Sequence, residues 1–424
     1  MQTAGALKQS RSVSLVLLSG CIVVAAAYAW LAVRNYRASI AASTLNPESL
    51  RRAVTLAPKD AAHQDLLCRS LLFDKQDPAA ARPYCEQATE LNPYQSAYWL
   101  HLALVYFQLG QQQKQEEAIR QAITIDPTTP DVAWEAGNFF LVQGKVPEAL
   151  HQFSVVIRGD PNMAGPALDL CWRVLHNVSA MESVLPADPE VYLQFIGMLV
   201  RKNEWPAANQ VWSALLQLNR PFDFHHALFY VDALLRNRDA AAAAEVWKQL
   251  AARSPVLGRY ISPGNLIVNG DFAEEILNSG LDWHYAPQAG TTLTVDTTQF
   301  HSGNQSVLIS YSETGGDAGL YQFVPVSPNT QYTLSAWVKS EELKSANGPA
   351  LSIIDAYNNT RYAVTPETVG TTPWHVVEAN FQTGPDTQLV VVRVVRDPAN
   401  TRILGQFWID NVRLNSGGGS AAGQ

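Results

Sequence analysis

Proline recurs at a nearly constant interval in the first part of the chain, and this interval constrains the fold more than any other feature. The phrases LAP, LNP, IDP and GDP place prolines at positions 58, 93, 127 and 161, which are 35, 34 and 34 residues apart. A period of this length is typical of stacked helical hairpins, one pair of antiparallel helices per unit. Because proline lacks the N–H that a helix interior needs, each proline is expected to follow the end of a second helix.

Small and aromatic residues repeat in the same register as the prolines. Small residues let two helices approach each other, and aromatic residues fill the space beside them. The pattern resembles the tetratricopeptide repeat, and we expect five to six hairpins between residues 47 and 255. The aligned pairs are Gly110 with Gly144, Tyr106 with Phe140, Ala103 with Gly137, and Ala81 with Ala149; the aromatics expected in the helical core are Trp99, Tyr106, Phe140, Phe153, Trp212 and Trp247.

The resemblance implies a binding function for the helical array. Solenoids of this kind hold a peptide or a partner protein in their concave groove. The sequence contains no HExxH motif, no GxSxG elbow and no phosphate-binding loop, and these are the motifs that would indicate catalysis. His225 and His226 are adjacent, so their side chains would point to different faces and make a poor metal site. We therefore expect the protein not to be an enzyme.

The helical period ends near Pro263 and Gly264, and short alternating runs follow. Eight such runs, separated by Gly, Pro, Asn and Asp turns, predict an antiparallel β-sandwich. The runs are NLIV, QSVLISY, GLYQFVPV, QYTLSAWVK, ALSIIDAY, WHVVEANF, QLVVVRVV and GQFWIDNVRL. The fold class expected for the whole chain is a multidomain α + β protein, with an N-terminal transmembrane helix, an α-helical solenoid and a C-terminal all-β jelly roll.

Five phrases in the β-rich part occur in the order found in one family of sugar-binding modules. They are NLIVNGDF, then LDW, then HSGNQSVLI, then YTLSAWVKS and finally FWIDNVRL. Residues 265–414 thus resemble the CenC-type carbohydrate-binding modules, which are jelly rolls of the galactose-binding-like class. The same sandwich also serves domains that bind no sugar.

The resemblance implies a structural calcium ion held by acidic residues near the first and last strands. Asp271 and Asp410 match the family positions, and both offer the hard oxygen ligands that calcium selects. The family phrase continues with Glu after Phe, whereas Phe272 is followed here by Ala273. Glu274 would be a third ligand only if a bulge or turn restored its side-chain direction.

Glycan recognition is expected to use exposed aromatic residues, because the C–H face of a sugar packs on an aromatic ring while polar groups bind its hydroxyls. Trp283, Trp337 and Trp408 match landmark positions of the family and are expected in the core. The predicted binding residues are Tyr321, Tyr357, Tyr362 and Trp374, with Asp355 and Arg393 as polar partners.

An apolar stretch at residues 12–33 lies between Arg11 and Arg34 and is long enough to span a bilayer. An uncleaved membrane anchor is the favoured interpretation. Two alternatives remain open, namely lipidation at Cys21, which follows a lipobox-like phrase, and cleavage after Ala29. Basic residues flank both ends of the stretch, so the positive-inside rule does not determine orientation.

Two cysteines of the first hairpin are expected to face each other across its two helices. Cys68 falls on the first helix and Cys85 on the second. A disulfide and a pair of buried free thiols are both compatible with this placement.

Together these features predict a tail at 1–11, an anchor at 12–33, a solenoid at 47–255, a linker at 256–264, a jelly roll at 265–414 and a flexible tail at 415–424. The net charge of −8 and the lack of a basic stripe disfavour a nucleic-acid partner. The function expected is that of a membrane-anchored scaffold of a bacterial cell envelope, extracytoplasmic at its C-terminus, which binds a glycan and a partner protein. We expect this scaffold to act in surface polysaccharide assembly or export. The alternatives are a targeting subunit of a glycoside hydrolase and a scaffold whose jelly roll binds only protein.

Overall fold

The structure, a computed structural model, describes residues 3–312, 317–399 and 401–417, with side chains from residue 15 onward. The described chain is helical up to Gly258 and forms β-strands from Trp283 onward. This confirms the predicted α + β arrangement. Within the predicted tail at 415–424, residues 418–424 lie outside the described residues.

The helical part contains fifteen α-helices in the residues described, most of them in consecutive pairs. They are α1 (Thr3–Ser43), α2 (Pro47–Leu56), α3 (Ala61–Arg69), α4 (Pro78–Leu91), α5 (Ser96–Gln108), α6 (Gln112–Ile125), α7 (Pro130–Val142), α8 (Val146–Gly159), α9 (Pro161–Leu175), α10 (Val178–Glu182), α11 (Pro189–Arg201), α12 (Trp205–Gln217), α13 (Leu228–Arg236), α14 (Ala240–Arg253) and α15 (Pro255–Gly258). A π-helical turn at Ser70–Asp74 extends α3.

The repeat prolines end helices as the sequence predicts. Each comes two residues after the end of a helix, namely α2, α4, α6 or α8, and the last one, Pro161, also opens α9. Aspartate side chains cap two of the four helices that follow: Asp60 accepts hydrogen bonds from the N–H groups of Ala62 and His63 in α3, and Asp160 accepts one from the Asn162 N–H in α9. These caps satisfy backbone donors that have no partner within the helix.

Five helix pairs share one turn geometry. In each pair a single residue has positive φ, and it lies two residues after the first helix and two before the second. Glycine or asparagine suits this left-handed conformation best. The five residues are Gln76, Gly110, Gly144, Asn203 and Arg238.

The small and aromatic residues of the repeat pack as predicted. Five of the six aromatics expected in the core are buried, and Trp99 is half-buried with its Nε1–H donating to the Pro93 carbonyl. A Cβ added to Gly137 of α7 would lie 2.8 Å from the Phe153 ring of α8. The two helices can therefore approach this closely only because residue 137 is glycine.

Replacing Gly137 with leucine should destabilise the helical repeats by about 1–3 kcal/mol, because the new side chain overpacks the α7–α8 contact. Thermal unfolding of the full chain, followed by far-UV circular dichroism, measures this change. The matched control is Gly165→Leu in α9, where nothing lies within 4 Å of an added Cβ. Equal destabilisation by both substitutions would show that the Gly137 contact is not specific.

Of the two interpretations of the first hairpin's cysteines, a disulfide or a pair of free thiols, the structure has the disulfide. Cys68 of α3 and Cys85 of α4 form a disulfide, with their Cα atoms 5.4 Å apart. Cys171 is a free, buried cysteine of α9, and burial raises the pKa of its thiol to about 12. That thiol is therefore unreactive at neutral pH.

Among the described helices, one is long and apolar enough to cross a membrane. The stretch Leu15–Ser43 of α1 has a mean hydropathy of 2.3 in its apolar window, and none of that window is buried. A signal sequence near an N-terminus meets the same criterion. The helix itself begins at Thr3, within the segment predicted as a tail.

The β-sandwich has two antiparallel five-stranded sheets with its apolar core between them. The first sheet has the order β1-β4-β9-β6-β7, and the second has the order β2-β3-β10-β5-β8. The strands are β1 (Trp283–Tyr285), β2 (Thr291–Asp296), β3 (Ser306–Tyr311), β4 (Leu320–Pro325), β5 (Gln331–Ser345), β6 (Ala350–Asp355), β7 (Arg361–Val364), β8 (Gly370–Gln382), β9 (Leu389–Val395) and β10 (Ile403–Ser416).

The chain divides into two compact units, residues 1–187 and 188–424. The second unit contains helices α11 to α15 together with the sandwich, so the division falls inside the predicted solenoid. The segment 256–264, predicted as a linker, is folded within this unit. Tyr260 is buried, its hydroxyl donates to the Glu275 carbonyl at 2.9 Å, and its own carbonyl accepts from the Asn269 N–H at 2.7 Å.

Candidate functional site

The phrase that opens the β-rich part ties the start of the sandwich to its last strand. A Cβ at Gly270 would lie 2.2 Å from the Val412 carbonyl oxygen, so only glycine fits there. The Gly270 carbonyl accepts a hydrogen bond of 2.7 Å from the Val412 N–H. Beside this turn the rings of Phe272 and Trp283 pack with centroids 5.2 Å apart, and both rings are buried.

Strand β4 places two aromatic residues on the outer face of the first sheet. Side chains alternate along a strand, and Leu320 and Val324 point into the core. Tyr321 and Phe323 therefore point outward, and both are half-buried. We call this outer surface the first-sheet face.

Four residues are paired directly across this face. The strand registers set His284 beside Tyr321, Tyr321 beside Arg393, and Arg393 beside Ser352. Directly paired residues have Cβ atoms about 4.5–5.5 Å apart. One row of side chains thus runs across β1, β4, β9 and β6.

The aromatic end of the row is held by ring contacts. His284 stacks on Tyr321 with centroids 5.0 Å apart and an interplanar angle of 12°, and Phe323 meets both rings edge-on. The His284 Nε2–H donates to the Gly280 carbonyl at 3.1 Å. Burial lowers the pKa of His284, so at neutral pH the ring is uncharged and can stack.

Two cavities open on the first-sheet face and share Tyr321 and Phe323. One has a volume of about 360 Å³ and is also lined by Ile354, Val391 and Arg393. The other has a volume of about 500 Å³ and is lined further by His284 and Tyr357, together with residues of α13 and the turn after it. The face is therefore a groove with aromatic and polar walls.

Two buried polar atoms in the cavity walls have no hydrogen-bond partner among the residues described. They are Nε of Arg393 and the hydroxyl oxygen of Tyr357. Buried polar atoms are nearly always hydrogen-bonded. Both of these atoms are closed to solvent, so a ligand would reach them only if the side chains moved.

Asp355 supports the groove from below. It is almost fully buried, and its carboxylate accepts hydrogen bonds from the N–H groups of Tyr357 and Asn358 and from the Thr387 hydroxyl. Burial would raise the pKa of Asp355, but these donors outweigh that effect and lower it. Asp355 therefore fixes the turn that carries Tyr357.

The structure separates two of the predicted sugar-binding residues from the first-sheet face. Tyr362 packs against the core, with its ring stacked on Phe381 and its hydroxyl 2.5 Å from Thr387 Oγ1. Trp374 lies on β8 of the second sheet, where its ring meets His301 edge-on. Neither position contributes to the row on the first sheet.

The three landmark tryptophans have different environments. Trp283 is in the core, as expected. Trp337 is half-buried on the second sheet and stacks on His301 at a centroid distance of 3.6 Å. Trp408 is buried as expected, beneath Lys339, with its Nε1–H donating to Asp296. For Trp337 the core prediction was wrong, because this residue alternates with core residues along β5.

His284 and Phe323 were missed by the sequence analysis, although period-two alternation points to both. His284 follows the core residue Trp283, and Phe323 lies two residues after Tyr321. Both must therefore face outward on the same sheet.

The carboxylates predicted to bind calcium have other partners. Glu274 pairs with Arg259 at 2.6 Å. Asp410 accepts hydrogen bonds from the N–H groups of His301 and Ser302, and Asp271 accepts one from Ala273. In the part of the chain described, no three His, Cys, Asp or Glu side chains converge. These three side chains do not by themselves form a calcium site there, and calcium binding stays a prediction, since calcium also takes carbonyl oxygens as ligands.

With its carboxylates partnered in this way, the full chain should melt at the same temperature in millimolar calcium chloride and in chelator, since only an ion that binds the folded state raises stability. Differential scanning fluorimetry measures this. A rise with calcium that Asp410→Ala abolishes would restore the calcium prediction made from the sequence.

The helical repeats carry a separate groove. Residues of α5, α6 and α7 line a cavity of about 230 Å³ that includes Leu104, Phe107, Phe139 and Val142. Phe107 and Val142 are exposed there. An amphipathic segment of another protein is the kind of ligand that such an apolar groove accepts.

Comparison with known families agrees with the division of the chain into a helical part and a β-sandwich. Residues 264–401 match the family described as a carbohydrate binding domain, and residues 70–130 match the tetratricopeptide repeat family. The chain combines tetratricopeptide repeats with a carbohydrate-binding domain. Both are non-catalytic kinds of domain. No curated protein matches the chain.

Solved structures resemble each part of the chain. One described as "Family 16 Carbohydrate Binding Module-2" is 26% identical, covering 35% of this chain and 99% of its own, with a TM-score of 0.26. One described as "CBM4 structure and function" is 18% identical, covering 35% and 99%, with a TM-score of 0.28. One described as "Crystal structure of MamA protein" is 12% identical, covering 44% and 91%, with a TM-score of 0.28.

The carbohydrate-binding domain should lose stability as the pH rises from about 4 to about 7, because of Asp282. Burial raises the pKa of Asp282 to about 7, although the Leu277 N–H donates to it. The folded state therefore keeps a proton that the unfolded state loses near pH 4. Asp282→Asn should remove this dependence and raise the melting temperature at pH 8, as measured by tryptophan fluorescence.

The matched control for Asp282 is Asp296→Asn. Hydrogen bonds from Trp408 and Thr298 outweigh burial and lower the pKa of Asp296 to about 2. That carboxylate stabilises the fold above pH 4, so its replacement should lower the melting temperature at neutral pH. If Asp282→Asn also lowered the melting temperature, the claim that the buried Asp282 charge destabilises the fold would be contradicted.

Proposed function

We propose that this protein is a membrane-anchored, non-catalytic scaffold of a bacterial cell envelope, with a glycan bound on the first-sheet face and a partner protein bound by the tetratricopeptide repeats. Assembly or export of a surface polysaccharide is the process that this pairing serves. The observation that carries the proposal is the row of His284, Tyr321, Arg393 and Ser352 inside a carbohydrate-binding domain.

The groove has the chemistry that sugar binding requires. The rings of Tyr321 and Phe323 offer apolar faces for the C–H groups of a pyranose. Arg393 and Tyr357 line the two cavities and bring a guanidinium and a phenol hydroxyl, groups that bind sugar hydroxyls. The contacts of His284 and Asp355 hold these residues in place before a ligand arrives, which lowers the entropic cost of binding.

The disulfide and the apolar helix support an extracytoplasmic location. Disulfides persist in oxidising compartments and are rare in the cytosol, and Cys68 and Cys85 are bonded. Helix α1 supplies an apolar segment of sufficient length for an anchor. We assign residues 12–33 to the membrane and the later domains to its outer side.

A glycan array probed with the full chain, in a detergent that contains no sugar, should show binding to at least one polysaccharide. Tyr321→Ala should weaken that binding roughly tenfold or more, because it removes the stacking surface. Trp374→Ala on the opposite sheet is the control and should leave affinity unchanged. Loss of binding with Trp374→Ala alone would place the glycan on the second sheet, and no binding by the unmodified chain would refute the sugar-binding role.

Alkaline phosphatase fused after Gln424 should be active in cells, because that enzyme folds only in an oxidising compartment. A reporter that works only in the cytoplasm should be silent at the same position. The opposite pair of results would place the carbohydrate-binding domain in the cytoplasm and contradict the envelope role.

A further inference from the structure

We infer that the last helical hairpin forms one wall of the glycan site through α13 and the turn after it, and that Arg236 and Arg238 in this wall bind the carboxylates of an acidic polysaccharide. This inference rests on the proposed glycan-binding function. It adds helical residues to the site and names the class of sugar.

The larger cavity on the first-sheet face lies between two kinds of secondary structure within the second compact unit. Its sandwich side includes Tyr321 and Tyr357, and its helical side includes Asp232, Arg236 and Arg238. The guanidinium of Arg238 lies 5.4 Å from the centroid of the Tyr357 ring. A sugar residue that packed on Tyr321 in this cavity would therefore meet the helical arginines.

The last hairpin is attached to the sandwich through α14 and through the linker segment. A Cβ at Gly280 would lie 2.6 Å from the Trp247 ring of α14, so the loop before β1 rests directly on that ring. Within the linker segment, the guanidinium of Arg259 donates two hydrogen bonds to Glu274, of 2.6 and 3.1 Å. The wall can thus contribute to the site without a loop having to become ordered.

The backbone at Arg238 is unfavourable for its residue type. Arg238 has φ of +62° at the turn position where Gly110, Gly144, Asn203 and Gln76 occur in other hairpins, and Gln76 shares this unfavourable conformation. Glycine or asparagine adopts this conformation at lower cost than arginine. A residue held in a backbone conformation that is unfavourable for its type is often functional when its side chain lines a cavity.

Arg236 and Arg238 supply the larger cavity with hydrogen-bond donors. The ion pairs of the described residues do not include Arg236 or Arg238. The nearby carboxylates have partners of their own: Asp232 accepts from Ser279 and Gly280, and Asp239 accepts from the Ala242 N–H to cap α14. Guanidinium groups bind carboxylates in a planar, bidentate manner.

The smaller, adjoining cavity also contains an arginine that supplies hydrogen-bond donors. Arg393 lines it with an unpartnered Nε, and the carboxyl group on the opposite wall belongs to Asp317. Burial raises the pKa of Asp317 above its ordinary value, while the charge of Arg393 acts in the opposite direction. Its carboxylate accepts a hydrogen bond of 3.2 Å from the Ala318 N–H. Three arginines therefore line the two cavities, and the carboxylates beside them have hydrogen-bond partners.

The test measures binding of the full chain to polygalacturonate, alginate and hyaluronan, each beside its carboxyl-reduced form. The unmodified protein should bind at least one acidic polymer about tenfold or more tightly than the reduced form, the difference expected for one charge-assisted hydrogen bond. Arg238→Gly should remove this preference. Its melting temperature should be equal or higher, because glycine suits the positive φ.

The matched control is Gln76→Gly, which makes the same backbone change at the equivalent turn of the first hairpin. It should leave binding unaffected. Arg236→Gln provides a second variant that keeps the turn intact and should also weaken binding to the acidic polymer.

If Arg238→Gly and Arg236→Gln bind as the unmodified chain does, or the reduced polymers bind equally well, the helical wall has no role in acidic recognition. Tyr321→Ala would still show whether the proposed glycan-binding function holds. If the unmodified chain binds none of the polymers and no glycan on the array, both proposals fail together.

Discussion

The carboxylate of Asp232 in α13 accepts hydrogen bonds of 2.7 Å from the Ser279 hydroxyl and the Gly280 N–H, and the candidate site depends on this contact. Gly280 in turn accepts the hydrogen bond that orients His284, and His284 stacks on Tyr321. A single chain of contacts thus connects a helix of the repeats to the aromatic platform of the carbohydrate-binding domain. Because the platform is fixed before a ligand binds, the ordering cost of recognition is small.

This arrangement gives each part of the chain a physical role. The disulfide of the first hairpin and the α7–α8 contact at Gly137 stabilise the repeats, where exposed Phe107 and Val142 offer an apolar groove. The sandwich core holds the first sheet, whose outer face carries the polar and aromatic row. The repeats therefore carry an apolar groove and, through their last hairpin, support the first-sheet face.

The sequence predicted the architecture well because both signals are periodic. Four prolines at a constant interval determine where helices end, and alternating residues such as Leu320 and Val324 indicate a strand with one buried face. Four residues of the candidate site were also predicted, namely Tyr321, Asp355, Tyr357 and Arg393, and two of them, Tyr321 and Arg393, are directly paired in the sheet. Pairing across β4 and β9 depends on strand register, which one sequence does not determine for strands far apart in the chain.

The remaining site residues depend on long-range contacts. Tyr362 and Trp374 are as aromatic as Tyr321, but the fold places one against the core and the other on the second sheet. Arg236 and Arg238 belong to a helical repeat, so no local pattern connects them with a sugar-binding face. Glu274 was predicted as a third calcium ligand only on condition that its side chain turned towards Asp271 and Asp410, and it pairs instead with Arg259 of the presumed linker.

The central claim is that residues 188–424 form one folded unit, in which α13 and α14 belong with the sandwich. Native-state hydrogen exchange of the full chain in increasing denaturant tests it most directly, because it gives the free energy and cooperativity of opening for each element. The account predicts that the most protected amides of α13 and α14 exchange in the same opening as those of β4 and β9, with one denaturant dependence. Exchange of α13 and α14 together with α5 to α8, while β4 and β9 stay protected, would contradict it.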